Sequence, residues 1–165
     1  MSKTRVVLVT NHGEMTLSFR PDKAPNHVAN FLKLCKQGFY DGTKFHRVIR
    51  NFMIQGGDPN TKDDDKQHLW GQGGPGWNVN AEFNDIKHVR GVLSMARSTD
   101  PNSAGSQFYI VHKDAPHLDN QYTAFGNLES GADVLDSIAN TKTGRGDIPI
   151  NHVVLQAAVI LPVFK

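Results

Sequence analysis

The chain has 165 residues, 38% of them hydrophobic, and 18 Lys and Arg stand against 16 Asp and Glu for a formal net charge of +2. The basic residues are scattered, so they form no stripe that would hold nucleic acid. The single cysteine, Cys35, excludes an internal disulfide, and no apolar run approaches the length that spans a bilayer. These bounds predict one domain over 1–165, cytoplasmic and monomeric, with no membrane or nucleic-acid partner; the run Val6-Val7-Leu8-Val9 is too short for a signal-peptide core.

In chain order, Val6 to Val9 and then Met15, Leu17 and Phe19 alternate about a turn at Asn11-His12-Gly13, which predicts a β-hairpin. Val28, Phe31, Leu32 and Cys35 follow at helical spacing, with Pro25 suited to the first turn and Gly38 to the C-terminal cap. From Asp58 to Asn84 the chain is polar and without period, a loop whose length marks it as functional or mobile. A second, shorter helix is expected with Val134, Leu135 and Ile138 inward and Ser130 near its start. Val153, Leu155, Ala157, Val159 and Leu161 alternate through a last strand that reads as apolar on both faces. Two helices among many strands predict a β-barrel with helices over its ends.

The most informative residues lie between these elements. Phe45-His46-Arg47-Val48-Ile49 runs on to Phe52-Met53-Ile54-Gln55-Gly56-Gly57-Asp58, and Gly105-Ser106-Gln107-Phe108-Tyr109-Ile110 follows downstream. One arginine and two glutamines thus sit inside short apolar strands, where a buried amide needs a partner. Strand alternation sends Gln107 and Tyr109 to one face and Phe108 and Ile110 to the other. That is the pattern of a site on the outside of a barrel. Met53 falls in phase with Gln55, so Phe52 reaches the same side only if a bend lies around Arg50-Asn51.

With Gly91-Val92-Leu93-Ser94-Met95-Ala96 and Phe125-Gly126, these blocks resemble the signature of the cyclophilins, the cyclosporin-binding peptidyl-prolyl cis/trans isomerases, across nearly the whole chain. The resemblance implies a mainly β fold, a closed eight-stranded antiparallel barrel capped by two α-helices. It implies Arg47 and Gln55 as catalytic residues. Phe52, Met53, Tyr109 and Leu118 would take the proline ring, Gln107 would lie in the groove, and Ala96, Arg97 and Ser98 would hold the extended peptide through their backbone. Gly71, His117 and Tyr122 complete the implied substrate contacts. The partners would be proline-containing peptides and unfolded or folding proteins, with no cofactor and no metal.

The chemistry suits those residues. An X–Pro amide resists rotation by about 20 kcal/mol and isomerises unaided in roughly 10–100 s. Reaching ~10–1000 turnovers per second takes only ~3–7 kcal/mol. In the twisted amide the prolyl nitrogen regains its lone pair and accepts a hydrogen bond, so a fixed guanidinium in a water-poor pocket favours that state selectively. One charged hydrogen bond contributes about 1.5–3 kcal/mol. The rival reading is a proline-peptide binding module with dispensable catalysis, which would need the apolar pocket but not Arg47.

Several positions depart from the common eukaryotic pattern. His117 stands where tryptophan is usual and weakens the expected cyclosporin contact. Tyr122 stands for histidine, Gln121 for lysine, Tyr109 for phenylalanine and Arg97 for asparagine, and the segment 97–104 is one residue longer. This set is similar to the bacterial cytosolic branch. Other motifs fail on context. Gly71-Gln72-Gly73-Gly74-Pro75-Gly76 has dinucleotide-turn spacing but follows no strand and opens no helix. Asp63-Asp64-Asp65 lacks the glycine and glutamate of a calcium loop, and the eight histidines show no zinc spacing. Ser94 and Ser106 lack a nucleophile elbow. His46 is expected to be a hydrogen-bonded core histidine, and Cys35 a buried structural thiol.

Overall fold

The computed structural model describes residues 3–161; residues 1–2 and 162–165, the ends of the expected 1–165 domain, lie outside them. The first hairpin forms where alternation predicts it, with β1 (Arg5–Thr10) antiparallel to β2 (Gly13–Phe19). Val6, Leu8, Met15, Leu17 and Phe19 all turn inward. Gly13 closes the turn at φ +127, a conformation that costs glycine little. Helix α1 (Pro25–Lys36) buries His27, Val28, Phe31, Leu34 and Cys35; Leu32 is only half-buried. Gly38 sits just past its C-cap at φ +70.

The remaining strands are β3 (Thr43–Lys44), β4 (Arg47–Ile49), β5 (Met53–Gly56), β6 (Val92–Met95), β7 (Phe108–Val111), β8 (Ala124–Ser130) and β9 (Val154–Leu161). Helix α2 (Ala132–Ala139) buries Val134, Leu135 and Ile138 as expected, but its N-cap is Gly131 at φ +98, and Ser130 ends β8. All neighbours pair antiparallel in the order β3-β9-β1-β2-β8-β6-β7-β5-β4.

The expected closed eight-stranded barrel is therefore corrected to an open sheet of nine strands. The two edges, β3 and β4, are nonetheless one stretch of chain interrupted by Phe45 and His46. Phe45 still donates to the Val153 carbonyl at 2.9 Å before the backbone swings across to pair with β5. The ladder breaks there because one segment serves two partners in turn.

The last strand also departs from simple alternation. Val153 and Leu155 are buried, but Val9 pairs with Ala157 and Thr10 with Leu155, so Gln156 bulges out of the ladder. A single extra residue flips every later side chain. Ala158 then faces the core while Val159 and Leu161 are exposed, and the strand is not apolar on both faces. The polar stretch after Asp58 contains two short 3-10 turns, Pro59–Lys62 and Asp64–Leu69.

The inner face of the sheet carries the main core. Phe108 meets Phe31, Tyr40 and Phe45 edge-on, with centroids 5.4, 5.3 and 6.0 Å away. Cys35 is buried there, and burial pushes its thiol pKa up, which fits an inert structural thiol. A second apolar cluster lies on the outer face: Met53, Val92, Tyr109, Val111, Ala115, Leu118 and Ala124, with Phe52, Ala96 and Tyr122 partly buried against it.

Candidate functional site

Strand register assembles the polar part of the site. Arg47 on β4 pairs with Gln55 on β5, and Gln55 pairs with Tyr109 on β7. Arg47 Nη1 donates to Gln55 Oε1 at 3.4 Å, Gln55 Nε2 to Gln107 Oε1 at 3.0 Å, and Gln107 Nε2 to the Gly73 carbonyl at 2.9 Å. Each amide is thus oriented by its neighbour, and the row ends at Arg47. Among the described residues no carboxylate lies in ion-pair range of Arg47. Its guanidinium is tethered at one nitrogen, and the side chain is exposed at the mouth of a cavity.

That cavity, of about 120 Å³, is lined by Arg47, Phe52, Met53, Gln55, Ala96, Arg97, Tyr109, Leu118 and Tyr122. It is close in scale to the ~150 Å³ apolar void that accepts benzene, so it suits one small ring. Phe52 reaches it as expected, from a turn over Arg50-Asn51 in which Asn51 adopts φ +64. His117 sits outside this lining, exposed on the 3-10 turn Pro116–Leu118, with its ring 5.5 Å from that of Phe52.

A second cavity of about 600 Å³ adjoins the first and shares Gln55, Ala96 and Arg97 with it. Gly71, Ser98 and Gln107 line this one, along with the rest of segment 71–78. Asp58 shapes the segment: its buried carboxylate accepts from the backbone N–H groups of Asn60, at 2.8 Å, and Gly71, at 2.5 Å, and a side chain on Gly73 would strike it. Among the described residues Arg97 is the only charged side chain in either wall besides Arg47. The thirteen sequence-expected residues thus divide between two adjoining hollows and, for His117, their rim.

Three features escaped the sequence reading. The Arg97 side chain straps the groove. Its Nε and Nη2 donate to the Gln121 carbonyl at 3.0 and 2.7 Å and its Nη1 to the Ser98 carbonyl at 2.9 Å, and the guanidinium lies 4.6 Å from the Tyr122 ring centroid. The Asn-to-Arg departure was the available signal. Beneath the small cavity, His88 Nδ1 meets Asp119 Oδ1 at 3.1 Å and its Nε2 meets Ser94 Oγ at 2.9 Å. Serine, histidine and carboxylate stand in hydrolase order, yet Ser94 is 0% exposed and meets no substrate. The arrangement instead ties the turn bearing Leu118 to β6. His88 lies in an unpatterned stretch, so no local signal marked it. Burial lowers its pKa, with Asp119 opposing, and the neutral ring donates at Nδ1 and accepts at Nε2.

The third feature is His46, which is buried as expected but has no hydrogen-bond partner at either ring nitrogen among the described residues. The nearby amide of Gln107 is engaged at both ends, by Gln55 and by Gly73. Burial pushes the His46 pKa down. The Tyr109 hydroxyl is likewise buried and without a hydrogen-bond partner among the described residues. Among the described residues no cluster of three His, Cys, Asp or Glu is placed to hold a metal ion, and no helix is long and apolar enough to cross a membrane.

Residues 5–160 match the family of cyclophilin type peptidyl-prolyl cis-trans isomerase/CLD. The chain is 44% identical over 157 residues to the peptidyl-prolyl cis-trans isomerase CYP18-1 of Arabidopsis thaliana, covering 94% of each. It is 48% identical over 126 residues to a peptidyl-prolyl cis-trans isomerase of Synechococcus elongatus, covering 76% of this chain and 81% of that one. In three dimensions it is similar to the Cryptosporidium parvum cyclophilin type isomerase crystallised in the presence of the dipeptide Ala-Pro. That similarity has a TM-score of 0.88 and 33% identity, over 96% of this chain and 99% of that one.

Proposed function

The chain belongs to the cyclophilin-type peptidyl-prolyl cis/trans isomerases, and from that premise we propose that Arg47 and Gln55 carry its catalysis. The proline ring enters the hollow between Phe52, Met53, Tyr109 and Leu118. Arg47 donates to the prolyl nitrogen as the amide twists, an interaction the planar ground state cannot return because its lone pair is conjugated. Gln55 holds the guanidinium in place and offers its amide to the substrate backbone. Residues Ala96, Arg97 and Ser98 receive the peptide before the proline, along the larger cavity lined by Gly71 and Gln107. Tyr122 and His117 form the far rim. No proton changes hands, and the reaction needs no cofactor.

The observation that supports this reading is Arg47 at the mouth of an apolar cavity, tethered to Gln55 and without an ion-pair partner among the described residues. We assign the protein to the cytoplasm as a monomer of one domain over 1–165, acting on proline peptides and folding chains. Cyclosporin would bind weakly because His117 is smaller than an indole and places its donor elsewhere.

Arg47→Ala is expected to lower kcat by about ten- to a hundredfold, the loss of one charge-assisted hydrogen bond in the transition state. Affinity for a proline peptide should change much less. NMR exchange spectroscopy on an Ala-Pro peptide measures both. Equal losses in turnover and affinity would make the groove a binding module and remove Arg47 from the chemistry.

A further inference from the structure

His112, at the end of β7, has no place in the mechanism above, yet it holds the bend that delivers Phe52. Its Nδ1 lies 2.9 Å from the backbone nitrogen of Asn51, and its own backbone N–H donates to the Phe52 carbonyl at 2.8 Å. Its Nε2 lies 2.9 Å from Asp136 Oδ1 on α2. Arg90 grips the same carboxylate with two bonds, at 2.8 and 3.0 Å, and donates to the His112 carbonyl at 3.3 Å. The residue is 8% exposed.

These contacts fix the tautomer. A backbone N–H can only donate, so Nδ1 accepts. Arg90 and then His112 hold the Asp136 carboxyl below the usual carboxylate range, so it stays ionised and Nε2 carries the proton. The bend turns on Asn51 at φ +64, in the left-handed region that asparagine tolerates better than most residues other than glycine, and the bond from its N–H to His112 fixes it there. Phe52 is only half-buried, and its other backbone ties are a bond from its N–H to the Ile49 carbonyl at 3.0 Å and a long one from the Lys113 N–H to its carbonyl at 3.5 Å.

We propose that His112 is a positioning residue for the isomerase, locked by Arg90 and Asp136 as the Nε2–H tautomer so that its Nδ1 holds the Asn51 bend and sets Phe52 against the substrate proline. The proposal rests on the reading that Phe52 walls the proline site. It adds a control on that wall running from Asp136 on α2, distant from the bend in sequence but joined to it in space through His112.

The test compares His112→Phe, His112→Asn and Phe52→Ala in the full chain, using peptide kinetics and thermal unfolding. Phe52 contacts ground and transition states alike, so a misplaced ring raises KM and spares kcat. His112→Phe should raise KM about five- to tenfold, the loss of one buried hydrogen bond, with kcat within twofold. His112→Asn carries an acceptor near the place of Nδ1 and should recover most of that loss, which a general packing role would not predict. A normal KM in Phe52→Ala would sink the placement of proline against Phe52. A raised KM there beside a normal one in His112→Phe would sink the role of His112 alone, as would His112→Asn behaving like His112→Phe. Imidazole ¹⁵N shifts of the unmodified protein provide a readout that survives any misfolded variant. An unprotonated Nδ1 and a protonated Nε2 at neutral pH support the proposal, and the opposite tautomer overturns it.

Discussion

The two faces of β7 are built from the same kind of residue and do opposite work. On the inner face Phe108 and Ile110 enter a core in which aromatic rings meet edge-on and the buried Tyr40 hydroxyl donates to the Ser106 carbonyl at 2.9 Å. On the outer face Tyr109 joins a smaller cluster that keeps an open hollow and leaves its hydroxyl without a partner among the described residues. A filled, satisfied face stabilises the fold. An unfilled one holds apolar surface and donors ready for a ligand. Burial alone does not separate them, since Phe108 and Tyr109 are 0% and 4% exposed; the difference lies in whether the packing is complete.

The largest expected effect falls on the inner face. Phe108→Ala should destabilise the protein by about 3–5 kcal/mol, as large-to-small core changes do, while the folded fraction keeps its KM. Urea unfolding beside peptide kinetics checks this, and a KM shift outweighing the stability loss would mean the two faces act as one.

Acid should act on stability before it acts on turnover. Burial holds His27, His46 and His88 below the ordinary imidazole pKa. The unfolded chain therefore binds more protons than the folded one once pH drops below about 6.5. The stability these groups confer is intact above that value and is lost as pH falls toward their lowered folded values, by at most ~1.4 kcal/mol per pH unit for each. Turnover should stay nearly flat from mild acid to mild base, because no catalytic group exchanges a proton. A bell-shaped rate profile would contradict the mechanism, and a flat urea midpoint would contradict the histidine assignment.

Arg97→Ala tests the outer rim. Loss of the strap to Gln121 and of the stack on Tyr122 should raise KM about three- to tenfold with little change in melting temperature, in line with ~0.5–1 kcal/mol for an exposed cation–π contact plus its hydrogen bonds. A large stability loss instead would make Arg97 a part of the fold rather than of the groove. The smallest effect is expected at Tyr109→Phe. Removing an unpartnered buried hydroxyl should leave stability equal or raise it by up to about 1 kcal/mol, with the proline pocket intact. A marked destabilisation would show that the hydroxyl has a partner after all.

The sequence alone determined the parts that depend on backbone periodicity and local conformation. The period of two assigned Gln107 and Tyr109 to one face and Phe108 and Ile110 to the other, and it demanded a bend before Met53, which the structure places at Asn51. Proline at the start of α1 and glycine just past its end are local preferences, equally readable. The tertiary structure decided whatever depends on a partner strand or a distant side chain. The sheet's open edges follow from one segment serving two ladders, and the bulge at Gln156 moves Ala158 inward and Val159 outward against the pattern of their own strand. Arg97 reaching Gln121, His88 joining Ser94 to Asp119, and His112 joining Asn51 to Asp136 are likewise beyond local reading. Periodicity is a property of a single strand, whereas register and hydrogen-bond partners exist only once separate segments have met.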